Sequence, residues 1–74
     1  MQEQKIKEIL LERDSEFKML FVKHQELEEQ LRGSLANRQK SDEERLAEKI
    51  LKKEKLRLKD AMQKRIHAFR RQQG

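Results

Sequence analysis

The chain has 74 residues, 45% of them charged and 34% hydrophobic, with a formal net charge of +5 and no cysteine. That length supports one small domain at most, and that balance cannot fill a thick globular core; it suits a narrow seam between helices. Without cysteine there is no disulfide framework and no thiolate zinc site, and no apolar run approaches the ~18 residues that a membrane span needs.

Glutamate, lysine, leucine, arginine and glutamine dominate, and proline, tryptophan and tyrosine are absent. This is the composition of long helices rather than of sheets. A chain this small without covalent staples relies on close helix packing or on oligomerisation. Its first residues, MQEQKIKEILLERD, lack the apolar core and small-residue cleavage site of a secretory leader, so a soluble intracellular protein is expected. Charge is unevenly placed. From Met1 to Asn37, six basic and eight acidic residues give −2; from Arg38 to Gly74, thirteen basic and six acidic give +7. The two halves are complementary if they pack side by side.

Alternating steps of four and three from Ile6 pass through Leu10, Arg13, Phe17, Leu20, His24, Leu27 and Leu31. Six of these eight are apolar, which predicts a first helix over about 3–32. Ile9 and Phe21 widen the stripe. Asp14 and Ser15 are poor in a helix interior and good as N-caps, which predicts a bend near 13–15. With neither proline nor glycine there, the helix is expected to run on through the bend. Leu11, Met19 and Val22 lie off the stripe and form a second, weaker apolar strip.

Gly33 predicts the helix end near Leu31 or Arg32, as a left-handed cap. A polar loop over 33–41 follows, with Leu35 placed to fold back over the hairpin end. Ser41, with Glu44 three residues on, reads as a capping box opening a second helix over about 42–71. Ala47, Leu51, Leu58, Met62, Ile66 and Phe69 fall on one stripe of that helix, flanked by Ile50, Ala61 and Ala68. Its opposite face holds Arg45, Lys49, Lys52, Lys59 and Arg70, with Leu56 in their midst.

A loop this short joins neighbours in space, so the expected fold is all-α: an antiparallel, coiled-coil-like hairpin of two helices. One interface leaves Phe17, Phe21 and Phe69 only half covered. Self-association is therefore expected, most simply as a dimer forming a four-helix bundle, with Leu11, Met19, Val22 and Leu56 as its second interface.

Two stretches carry a family resemblance. One is Phe17-x-x-Leu20-Phe21-x-x-His24-x-x-Leu27; the other is LKKEKLRLKD, Leu51 to Asp60. Together they resemble the YdcH-like family of small bacterial proteins, a domain of unknown function. The resemblance covers roughly Ile6 to Phe69. It implies a helical hairpin, a bacterial source and a cytoplasmic location, and it implies no reaction. Ala61 departs from the acidic residue common in the family.

No constellation points to catalysis. Glu28 and Glu29, and Glu43 and Glu44, are adjacent acids on exposed helix surface, not a pair in a cleft. Ser34 and Ser41 lack an activating neighbour, and the only glycines, Gly33 and Gly74, cannot build a phosphate-cradling loop. No cofactor or metal is expected, because His24 and His67 fall far apart. His24 should oppose residues near Leu51 and bond across the interface, to Glu54. Arg13 is read as a snorkelling side chain that pairs with an acid or stacks on Phe69. The expected function is non-enzymatic: an interaction module whose partners are a second copy and a further protein. The alternative is weak, sequence-independent nucleic-acid binding through the basic face. That face has no stacking aromatics and has Glu48 interleaved near it.

Overall fold

A computed structural model describes residues 2–37 and 39–73. Three helices follow one another: α1 (Glu3–Arg13), α2 (Ser15–Ala36) and α3 (Asp42–Gln73). Among the described residues there is no strand. The molecule measures 49 × 20 × 16 Å, and its long dimension is that of α3, since 32 helical residues span roughly 48 Å.

The expected first helix is in fact two, broken at Asp14. Its backbone is extended, with φ −113° and ψ 103°. The Asp14 N–H closes α1 by donating to the Leu10 carbonyl at 2.8 Å. Its carboxylate then opens α2, accepting from the N–H groups of Glu16 at 3.1 Å and Phe17 at 3.2 Å. A side chain that competes for backbone donors in this way ends one helix and starts the next without proline or glycine.

The break redirects α1. Glu3 and Asp14 stand roughly 16 Å apart along the helix, at about 1.5 Å per residue. Yet Glu3 accepts a hydrogen bond from Gln63, and Asp14 accepts one from Arg65, two residues further along α3. A helix continuing the line of α2 would carry Glu3 past the end of the chain. Instead α1 folds back and touches both α2 and α3.

The core lies where the three helices meet. Ile6, Leu10, Phe17, Met62 and Ile66 form it, with Leu11, Leu20, Phe21 and Phe69 packed against it. Ile6, Phe17 and Ile66 are essentially inaccessible to water; burial of such side chains stabilises by about 1.5–3 kcal/mol each. Toward the loop, α2 and α3 continue as a pair, with Leu31 and Leu58 buried there.

The loop end differs from expectation as well. Among the described residues no glycine has positive φ, and α2 runs through Gly33 to Ala36, so Gly33 is a helix-interior residue and not a cap. Leu35 remains exposed instead of folding back. At the start of α3, the Glu44 N–H donates to Ser41 Oγ at 3.2 Å, and that hydroxyl donates to Glu44 Oε1 at 3.4 Å. The cap is thus reciprocal through the hydroxyl. Arg38, within the expected loop, lies outside the described residues.

Candidate functional site

All three helices contribute to one cleft, of about 160 Å³, lined by Lys7 from α1, His24 and Glu28 from α2, and Lys55, Lys59, Met62 and Gln63 from α3. It exists because α1 folds back; a straight first helix would carry Lys7 away. His24 comes from the first of the two stretches that carry the family resemblance, and Lys55 and Lys59 from the second. Glu28 is the one anionic lining residue among those described, and it pairs with Lys55 at 3.3 Å. Lys55 and Lys59 are four apart on α3, a spacing at which like charges repel. At the cleft's far side, Gln63 donates to Glu3 at 2.7 Å and holds that carboxyl below its ordinary value.

His24 is half-buried, and its Nε2 is buried without a hydrogen-bond partner. The expected bond to Glu54 is absent, since Glu54 is exposed, and His24 shares its cleft with Lys55, Lys59 and Met62 rather than with Leu51. The pairing of α2 with α3 sets Lys55, Lys59 and Gln63 around the same cleft, and the folded-back α1 adds Lys7.

A second polar assembly braces the loop end. Glu48 accepts from Lys40, from Lys52 at 3.2 Å and from Ser34 Oγ at 3.2 Å. Its side chain is only 12% exposed. The bond from Lys40 first, then that from Lys52, pulls its carboxyl from 4.5 down to about 2, against the opposing effect of burial. Lys52, expected to stand free on the basic face, therefore has part of its charge matched.

The other residues of that face, Arg45, Lys49, Lys59 and Arg70, are exposed, and Leu56 among them is 60% exposed. Of the expected seam, Phe17, Leu31, Leu58, Met62 and Ile66 are buried, while Leu20, Phe21, His24, Leu27, Leu51 and Phe69 are half-buried. Met19 and Val22 face outward in a shallow groove with Ser15 and Glu26. Leu11 does not join them: it packs on the three-helix core, again because α1 turns back. Arg13 is exposed rather than on the seam, and Ala47, Ala68 and Ile50 are exposed rather than beside it.

Leu46 and Ile50 were not legible as a surface. They are four apart and share one outward face of α3, at 60% and 59% exposure. That face lies about 120° around the helix from Leu56. Their i, i+4 spacing is the one sequence signal for the patch, and the place of Ile50 beside the seam stripe obscures it. Glu43 and Arg57 are each seven residues from Ile50, on the same face, and both are exposed.

Fold and surfaces together define a small, highly charged all-α protein whose outward helix faces carry unpaired apolar side chains. No described helix is long and apolar enough to cross a membrane. The chain belongs to the family described as Protein of unknown function (DUF465), whose match spans residues 17–66, more than half of the chain. No curated protein and no solved structure matches it.

Proposed function

We propose that the protein is a non-enzymatic helix–helix association module whose first partner is a second copy of itself. The observation that carries this reading is the exposed Leu46–Ile50 pair on α3, with Glu43 and Arg57 placed symmetrically about Ile50. Two α3 helices running antiparallel and crossing at Ile50 bring each Glu43 against the partner's Arg57, twice over, around the two Ile50 side chains, with each Leu46 lying along the aliphatic stem of the partner's Glu54. A two-fold contact of this kind is self-complementary by construction. The apolar patch is short, so the charges specify register more than they supply affinity. The YdcH-like resemblance, compatible with the family match, supports reading this module as a bacterial cytoplasmic one.

The chain contains no cysteine, which makes the test clean. Ile50→Cys, at the two-fold axis, should cross-link to itself under mild oxidation. Glu43→Arg and Arg57→Glu should each weaken the dimer in sedimentation equilibrium, and the double exchange should restore it. A monomer at every concentration tested removes the reading. A dimer that ignores all three changes keeps self-association and moves it to another face, with Met19, Val22 and Leu56 the next residues to exchange.

A further inference from the structure

We infer that the three-helix cleft is a binding site for a phosphate group. Lys7, Lys55 and Lys59 converge on it from two helices, and only Glu28 opposes them among the described lining residues. Among the lining residues three lysines face Glu28, which pairs with Lys55, and Glu3 on Gln63 at the rim offsets part of the Lys7 charge, so the cleft stays net positive. Assembling like charges around a hollow is unfavourable unless an anion offsets it. His24 lines the same cleft, and its Nε2 is buried beside it with no hydrogen-bond partner among the described residues, a desolvation left uncompensated. A tetrahedral oxyanion answers the charge repulsion directly, since its oxygens accept from several ammoniums at once, and a turn of the His24 ring toward the cleft lets the imidazole donate to it as well. The hollow, of about 160 Å³, has room for one such group and not for a large organic ligand.

The cleft is also distinct from the Leu46–Ile50 face, so the inference stands apart from self-association. The phosphate can come from a small free species or from a nucleic-acid backbone, since the basic face of α3 continues beyond Lys59 to Lys52 and Lys49. The recognition chemistry is the same.

The experiment is a titration of the full chain, followed by nuclear magnetic resonance of the backbone amides and the His24 ring, at low salt. One arm uses inorganic phosphate and the other a short single-stranded oligonucleotide. Saturable shifts at His24 and the Lys7 amide are expected, with Lys7→Gln and Lys59→Gln each weakening binding about tenfold. Lys53→Gln, an exposed lysine outside the cleft, should leave binding unchanged. Saturation by phosphate alone assigns a small phosphate ligand. Tighter binding of the oligonucleotide with the same dependence on Lys7 and Lys59 assigns a nucleic-acid backbone. Absence of shifts at His24 in both arms, or equal losses from Lys53→Gln and Lys59→Gln, overturns the inference. Circular dichroism of the two cleft variants checks that α1 and the rest of the fold are retained.

Discussion

The Asp14 carboxylate accepts a hydrogen bond from Arg65 Nη1 at 2.7 Å while its other oxygen caps α2. One side chain thus ends α1, begins α2 and ties the corner to α3. Arg65 also pairs with Glu16. Asp14→Ala should destabilise the fold by about 1–2 kcal/mol through the lost cap, with a smaller further loss because the pair to Arg65 is partly solvated. Asp14→Asn keeps a capping oxygen and should recover most of the difference. Urea denaturation of the three proteins measures it.

Gly33 lies inside α2, and a Cβ built on it meets nothing within 4 Å. Gly33→Ala should therefore stabilise the protein by about 1 kcal/mol, seen as a rise in Tm of several degrees. A cap glycine in the left-handed region would respond with the opposite sign, so the measurement also checks where the helix ends.

Glu48 gives the protein a defined acid response. Its folded-state pKa is depressed, to about 2 from 4.5, so the unfolded chain takes up the proton first as pH falls. The stabilisation is complete above 4.5, declines below it, and is gone once pH has passed through the folded value. Glu48→Gln should be less stable than the parent at neutral pH, and the two should converge near pH 2. Chemical denaturation across that range tests the sign directly.

Leu58 and Leu56 separate the inside of α3 from the outside. They are 8% and 60% exposed. Leu58→Asp places an unpaired charge in the seam and should abolish the cooperative transition. The same change at Leu56 should alter stability by less than about 0.5 kcal/mol. A loss of assembly in Leu56→Asp with helicity intact would transfer the self-association surface to that side.

Most of the helical layout was legible because period and capping agree. Phe17, Leu31, Leu58, Met62 and Ile66 lie inward where the stripes predicted, and Ser41 caps where its spacing with Glu44 indicated. The break at Asp14 was half legible. Its capping chemistry was visible, but the apolar stripe continues in register from Ile6 through Phe17, so the period gave no sign of a change in direction. Arg13, a charge on that stripe, was the one discordant residue, and it is exposed. Everything that depends on the reversed α1 was hidden in turn: the burial of Leu11, the lining of the cleft by Lys7 and the surroundings of His24. Gly33 misled for another reason. A glycine ends a helix only where the chain needs a left-handed residue, and here the helix continues to place Ser34 against Glu48.

Because α1 covers one end of the α2–α3 pair, α3 is a single rod gripped unequally along its length. Near Met62 and Ile66 it is held by two helices, and near Leu46 and Ile50 by one helix and the Glu48 brace. Amide protons should accordingly exchange slowest around Met62 and progressively faster toward Asp42. The surface best placed to meet a second copy thus belongs to the most pliant stretch of the helix, which can adjust its line to a partner while the far end keeps its shape.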